Sequence, residues 1–268
     1  MGFDIEAYFR RIGYTGGREA SLSTLEGIVY AHATSIAFEN LDPFLGIPNR
    51  LDLESLQRKL VHSRRGGYCY EQNLTLRTVL VELGYTVTGY AARVLWGQPI
   101  ETITPRSHML LQVEFADGPR IVDVGFGGMT LTGVMRLERD VEQKTPHEVF
   151  RFVDLDGDFA QQSFVAGAWQ TTYRFDLVRQ YPIDYEASNW YLSTSPASHF
   201  VTGLIAARPF DGGRFAMRGR DLATHHLDGA TERRTLATPS EVIGSLERDF
   251  GVQLPDWAPL EHALDRIG

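Results

Sequence analysis

The stretch Arg64-Arg65-Gly66-Gly67-Tyr68-Cys69-Tyr70-Glu71-Gln72-Asn73 contains the only cysteine of the chain. The apolar residues after it recur at three- and four-residue steps, which predicts a helix with one apolar face made by Leu76, Val79, Leu80 and Leu83. Cys69 would therefore lie in the first turn of that helix, after a glycine-rich bend. The free N–H groups and the positive dipole end of a helix start favour a thiolate, and the two arginines add positive charge. The stretch predicts a reactive cysteine, and the alternative is a small buried apolar side chain.

Composition limits the classes of protein to consider. The chain has 268 residues, 43% of them hydrophobic and 11% aromatic, which is enough for a sizeable core in one large domain or two to three small ones. One cysteine cannot form an internal disulfide, and this fits a reducing compartment. A formal charge of −8 and a pI near 5.5 argue against nucleic acid or an acidic membrane surface as the main partner.

Targeting signals are not evident in the sequence. Residues 1–14 carry four charged side chains and no apolar core of a signal peptide, and Glu6 stands where a myristoylation motif requires Ser or Thr. No apolar run approaches the length of a membrane span. We therefore expect a cytoplasmic protein.

The periodicity divides the chain into three regions, 1–85, 86–190 and 191–268. The first is predicted to be helical and to carry Cys69, with a helix over Asp52–Leu60 before the cysteine loop. The second shows the period of two that is typical of strands, and the third is mixed. Predicted strands include Met109–Phe115, Arg120–Phe126, Phe164–Ala168 and Val201–Phe210. This order indicates an α+β fold and does not support parallel βαβ winding.

A thiol nucleophile needs a base within hydrogen-bond reach and an acceptor that orients the base. His108 stands at the start of one predicted strand, and Asp123 interrupts an otherwise apolar strand. The alternatives are an ordinary edge histidine and a solvent-facing aspartate. A tight turn at Asp117-Gly118 would place Asp123 opposite Gln112, whereas a longer or bulged turn would shift that register. The sequence leaves the pairing open.

Other site chemistries have weaker support. The cysteine and the scattered histidines lack the spacing of a zinc site, and the adjacent His225 and His226 are not a chelating pair by themselves. The segment Gly125–Gly128 lacks the Lys and Ser/Thr of a phosphate-binding loop and predicts a tight turn. We therefore expect no metal centre.

Four separated motifs give the chain a specific resemblance. They are Arg65–Asn73, Phe38–Pro43, Val122–Gly127 and Ser193–Phe200, and Gly219–Ala223 with His225 adds a further likeness to bacterial members. On these motifs the chain resembles the arylamine N-acetyltransferases over nearly its whole length.

The resemblance implies a cysteine-protease-like fold with a helical domain, an antiparallel β-barrel and an α/β lid. It implies a catalytic triad of Cys69, His108 and Asp123, and a structural ion pair between Glu39 and Arg65. The implied acceptor pocket is lined by Tyr70, Val94, Phe126 and Phe200, and the implied contacts to coenzyme A are Gly127, Ser195 and His225.

The implied reaction is acetyl transfer from acetyl-coenzyme A to an arylamine, arylhydrazine or hydrazide through acetyl-Cys69, with no tightly bound cofactor. The same three residues are compatible with a thiol hydrolase, a transglutaminase-like enzyme or an amide synthase. A binding protein that has kept the fold is a further alternative. A homodimer is possible, and the sequence does not identify the acceptor.

Overall fold

The computed structural model describes residues 2–265, so Met1 and 266–268, at the outer ends of the first and third predicted regions, lie outside the described residues. Helices and two antiparallel sheets make up the fold, which confirms the predicted α+β class. None of the helices within residues 2–265 is both long and apolar enough to cross a membrane.

The first part of the chain is helical. Its helices are α1 Ile5–Ile12, α2 Leu22–Ser35, α3 Leu41–Phe44, α4 Leu53–Leu56 and α5 Cys69–Glu82. The predicted helix over Asp52–Leu60 is present but changes type, because α4 ends at Leu56 and continues directly as a wider π-helical segment over Gln57–His62. Lys59 lies in this wider segment, where its ammonium reaches the carboxylates of Asp42 and Glu71, both at 2.7 Å.

Eight antiparallel strands follow. They are β2 Val87–Val94, β3 Arg106–Val113, β4 Arg120–Val122, β5 Met135–Arg136, β6 Gln143–Lys144, β7 Val149–Leu155, β8 Asp158–Val165 and β9 Ala168–Phe175. They pair in the order β5-β4-β3-β2-β9-β8-β7-β6. The side chain of Gln143 on β6 makes two hydrogen bonds to the backbone of Arg136 on β5, at 2.7 and 3.0 Å, so the two edges meet and the sheet is a nearly closed barrel.

Two predicted strands of this sheet have different limits. Strand β4 ends at Val122 because the Asp123 side chain accepts a hydrogen bond from the Gly125 backbone N–H (3.0 Å), which turns the chain out of the sheet. The predicted strand Phe164–Ala168 is wrong, since residues 166 and 167 form the turn between β8 and β9 with φ of 51° and 80°.

The structure defines the register between β3 and β4. Leu111 pairs with Val122 and Val113 pairs with Arg120, so Asp123 follows directly beyond this ladder, next to Leu110. A tight turn at Asp117-Gly118 would have put Asp123 opposite Gln112. The observed register differs by two residues, so Asp123 keeps the same face of the sheet and comes closer to His108.

The second sheet has five antiparallel strands. They are β1 Phe38–Glu39, β10 Ile205–Phe210, β11 Gly213–Arg218, β12 Asp221–His226 and β13 Thr231–Thr235, and they pair in that order. The helices of this part are α6 Glu186–Thr194, α7 His199–Thr202, α8 Pro239–Arg248 and α9 Ala258–Asp265, with a 3₁₀ segment at Pro182–Tyr185. The predicted strand Val201–Phe210 is wrong in its first part, because Ser198 caps α7 by accepting from the Phe200 N–H.

Candidate active site

Cys69 is the first residue of α5, as the sequence predicts. The loop before it runs close against the segment before β1, and a Cβ on Gly66 would lie 2.2 Å from the Ala37 carbonyl oxygen. Glu71 fixes the helix start, since its carboxylate accepts from the Tyr68 backbone N–H at 3.0 Å. Cys69 is buried, with 3% of its surface exposed, and its thiol lies 3.7 Å from the Ser107 carbonyl oxygen.

The predicted ion pair of Glu39 and Arg65 is present, at 2.9 Å. Arg65 also contacts Asp42 at 2.8 Å, so two carboxylates balance its charge. Arg64 is exposed to solvent. The two arginines therefore do not supply the positive charge beside the thiol that the sequence suggests, and Arg65 instead holds the cysteine loop against β1 and α3.

Glu71 belongs to the same buried group of charges. Burial raises the pKa of the Glu71 carboxyl to about 7, although the adjacent Lys59 ammonium opposes this shift. Two cations and three carboxylates thus lie beneath the start of α5, and they hold the loop that carries Cys69.

His108 and Asp123 form a buried pair. His108 Nε2 lies 2.6 Å from Asp123 Oδ2, and both side chains are almost fully enclosed. Burial lowers the pKa of His108, but the charge and hydrogen bond of Asp123 and the hydrogen bond to Cys69 outweigh it, and they raise this pKa to about 10. The protonated imidazole is therefore favoured, which is the partner that a thiolate requires.

A cleft of about 680 Å³ opens onto this group of side chains. Cys69 and His108 lie in its wall. Of the residues assigned to substrates by resemblance, those that line the cleft are Val94, Phe126, Phe200, Gly127 and His225. The turn predicted at Gly125–Gly128 is present, with Gly127 at φ +80°.

Two predicted contact residues do not reach the cleft. Tyr70 is 1% exposed and points into the core, where its ring packs on Tyr68 and Tyr185 with centroids 5.7 and 5.4 Å away. Ser195 follows α6 and its hydroxyl accepts from the Ala197 backbone N–H at 3.3 Å. Neither residue is among those that line the cleft.

Several site residues escaped the sequence analysis. Tyr173 on β9 packs on the His108 ring with centroids 5.1 Å apart, and Phe38 lies in the cleft wall. Asn73 donates from its side chain to Asp123 Oδ1 at 2.9 Å. Phe38 and Asn73 lie inside recognised motifs, and Asn73 follows Cys69 by four residues on one helix face, so these two had a usable signal. Tyr173 had none.

Metal chemistry has no ligand set in the described part of the chain. Within residues 2–265 no group of three or more His, Cys, Asp or Glu side chains could hold an ion. His225 and His226 turn instead to Thr231 and Glu232, each at 3.0 Å.

Known proteins match this chain over almost its full length. A family model described as N-acetyltransferase matches residues 21–258. An arylamine N-acetyltransferase of Mycobacterium tuberculosis is 45% identical, covering 96% of this chain and 92% of its own length, and an Escherichia coli arylamine N-acetyltransferase is 38% identical over 93% and 89%.

Solved structures agree with these matches. The M. tuberculosis arylamine N-acetyltransferase structure has a TM-score of 0.95 at 43% identity, covering 98% of this chain and 100% of that one. The Mycobacterium marinum arylamine N-acetyltransferase in complex with CoA has a TM-score of 0.94 at 41% identity, with 98% and 99% covered. The chain belongs to the arylamine N-acetyltransferase family.

Proposed function

We propose that this protein transfers the acetyl group of acetyl-coenzyme A to arylamines, arylhydrazines or hydrazides through an acetyl-Cys69 intermediate. The observation that carries the proposal is the position of Cys69, at a helix start beside the buried His108–Asp123 pair and in the wall of an open cleft. The names of the relatives and the CoA complex of the M. marinum enzyme support the donor and the acceptor class.

The ring nitrogens of His108 have separate tasks in this proposal. Nε2 contacts Asp123, so Nδ1 is the nitrogen left for the Cys69 thiol. Asp123 holds the ring in place and stabilises its positive charge, and Nδ1 takes the thiol proton. Because the pKa of His108 is raised to about 10, the imidazolium is present at neutral pH and is the partner for a Cys69 thiolate.

Acetyl loading is the first half of the reaction. Cys69 Sγ bonds to the acetyl carbon, and the carbon–sulfur bond to coenzyme A then breaks. The departing sulfur takes the proton from His108. The Cys69 backbone N–H lies in the first helical turn, where the N–H groups have no helical acceptor, and it serves as an oxyanion donor.

The acceptor completes the cycle. An arylamine is a weak base, so it stays neutral and nucleophilic near pH 7. Its nitrogen attacks the acetyl carbon, its proton passes to His108 Nδ1, and Cys69 leaves as the thiolate. We assign the aromatic ring of the acceptor to the apolar wall made by Val94, Phe126 and Phe200.

The donor occupies the part of the same cleft beyond the cysteine. Gly127 and His225 line it and are proposed contacts to coenzyme A, whereas Ser195 and Tyr70 lie outside its lining and lose support as direct contacts. Glu39 and Arg65 are proposed as structural residues, because their ion pair holds the cysteine loop.

The organisation of the chain is also a proposal. We assign the nucleophile to a helical region 1–85, the base and its partner to a barrel region 86–190, and the closing wall of the cleft to a region 191–268. Strand β1 crosses this division, because Phe38 and Glu39 pair with β10. A cytoplasmic location and a homodimer remain predictions.

Intact-mass spectrometry tests the proposal. We expect a single added acetyl group when the protein is mixed with acetyl-coenzyme A, no addition in Cys69→Ala, and loss of the group when an arylamine is supplied. Circular dichroism of Cys69→Ala controls for folding. Acetyl transfer that survives in Cys69→Ala would overturn the proposal. An acetyl group released by water as fast as by arylamine would favour the hydrolase instead.

A further inference from the structure

We propose that Asn73 is a positioning residue that joins the three chain segments of the candidate triad and fixes the Asp123 carboxylate for His108. It lies one helical turn after Cys69 on α5 and is fully buried. The proposal rests on the proposed function for its role in acetyl transfer, but its geometric content concerns the His108–Asp123 pair alone.

The side-chain amide of Asn73 makes three hydrogen bonds. Asn73 Nδ2 donates to Asp123 Oδ1 at 2.9 Å and to the Met109 carbonyl oxygen at 3.0 Å, and its Oδ1 accepts from the Val124 N–H at 3.1 Å. Met109 directly follows His108 on β3. The helix of the nucleophile is thus tied both to the strand of the base and to the loop of the carboxylate.

The chemistry of these contacts selects an amide. Two acceptors and one donor converge on the side chain, and Asn offers two N–H donors and one acceptor in the matching arrangement. An aspartate would bring a second carboxylate against Asp123. An apolar side chain would leave buried polar groups of the barrel unpaired.

Asp123 depends on this contact for its orientation. Its Oδ1 accepts from Asn73 and from the Gly125 N–H, so the carboxylate cannot rotate without losing both bonds, and Oδ2 stays directed at His108 Nε2. Asn73 and His108 both contact the Asp123 carboxylate, and the Tyr173 hydroxyl also hydrogen-bonds to it.

A close approach of backbone makes the contact possible. A Cβ on Gly125 would lie 2.9 Å from Asn73 Nδ2 and 2.7 Å from the Cys69 Cα. The glycine therefore lets the loop after β4 lie directly against α5, with the amide between them.

Alkylation of the thiol with iodoacetamide across the pH range is the test. Cys69 is the only cysteine, so the reaction reports its thiolate alone. In Asn73→Ala we expect the midpoint of alkylation to rise by about one pH unit, with alkylation about tenfold slower at pH values below the native midpoint, because a less well held Asp123 stabilises the imidazolium less. Acetyl loading should slow in parallel.

Thr75→Val is the matched control. Thr75 is also fully buried on α5, and its hydroxyl donates to the Glu71 carbonyl oxygen at 2.8 Å, away from His108 and Asp123. We expect this variant to keep the native midpoint even if it unfolds more easily. An Asn73→Ala protein with a native alkylation profile and only reduced stability would overturn the proposal.

A measurement on the unchanged protein covers the case in which Asn73→Ala does not fold. The chain has four asparagines, Asn40, Asn49, Asn73 and Asn189, so selective ¹⁵N labelling gives a simple side-chain spectrum. We expect the chemical shifts of the Asn73 side-chain amide to change with pH at the same midpoint as thiolate formation. Asn73 chemical shifts that do not change over this titration would also overturn the proposal. Failure of acetyl loading in the native protein would reject the proposed function and leave both measurements valid.

Discussion

Asp123→Asn should inactivate the protein because it reverses the proton arrangement on His108. Asp123 Oδ1 accepts from the Asn73 amide (2.9 Å) and the Gly125 N–H (3.0 Å). The new side chain will therefore keep its oxygen at that position and direct its NH₂ group at His108 Nε2. A ring nitrogen that accepts a hydrogen bond carries no proton, so the proton moves to Nδ1, which in the proposed mechanism is the nitrogen that takes the thiol proton.

The expected loss of acetyl-loading rate follows from the pKa of His108. This pKa is raised from its ordinary 6.5 to about 10 against the effect of burial, and Asp123 supplies the two leading favourable causes. At about 1.4 kcal/mol per pKa unit, the imidazolium gains about 5 kcal/mol of stabilisation. Loss of most of it should lower acetyl loading by about 10³-fold or more, comparable with the same change in a serine protease triad.

The pH at which the Cys69 thiol becomes reactive should differ between the native protein and Asp123→Asn. In the native protein the imidazolium persists until the pH approaches about 10, so a Cys69 thiolate has a cationic partner across the neutral range. In Asp123→Asn the imidazole loses its proton at a much lower pH, so the thiol has no cationic partner at neutral pH and needs a higher pH to ionise than in the native protein. Alkylation by iodoacetamide and stopped-flow acetyl loading measure both effects. Asp176→Asn, which removes a partly exposed partner of Arg106, is the control.

A near-native loading rate in Asp123→Asn, with the alkylation midpoint unchanged, would refute this reasoning. Another group would then orient His108. A loss of rate without a shift of the midpoint would also contradict it, because the tautomer argument requires both.

Two further predictions concern stability. Burial lowers the pKa of His32 to about 4, so between pH 6.5 and 4 the unfolded chain binds a proton more readily than the folded protein. Relative to His32→Gln, the native protein should therefore lose about 3 kcal/mol of unfolding free energy from pH 7 to 4, measured by urea titration. A difference in unfolding free energy between the two proteins that stays constant with pH would contradict this. Gly125→Ala should cost about 1–3 kcal/mol and slow acetyl loading, because its Cβ meets the Cys69 backbone at 2.7 Å. Gly128→Ala, with open space around its Cβ, should unfold like the native protein, and equal losses in both would exclude the clash as the cause.

The position of Cys69 could be predicted because its signals are local. A glycine pair, a cysteine and an apolar helical period lie within twenty residues, and each acts through nearby backbone. The position of Asp123 relative to His108 could not be predicted in the same way. It depends on which residues close the turn between β3 and β4, and several turn types fit that sequence.

Neighbours along the chain need not share a surface. Tyr70 follows Cys69 directly, but one helical step of about 100° turns it away from the cleft and into the core beside Tyr185. Asn73, four residues on, returns to the face of Cys69. The helical periodicity of α5 could therefore have predicted that Asn73, and not Tyr70, lies beside Cys69. The pairing of β1 with β10 could not be predicted, because it joins segments far apart in the sequence.

The loop from Asp123 to Gly127 both contacts His108 and forms part of the cleft wall. Asp123 holds His108, Phe126 packs on the His108 ring with centroids 5.2 Å apart, and Gly127 continues the wall at positive φ. A displacement of this loop would therefore move the carboxylate and the proposed acceptor surface together. Since Asn73 and Gly125 fix the loop against α5, changes at either residue should alter loading and acceptor binding at once, whereas changes at Phe126 alone should affect mainly the acceptor.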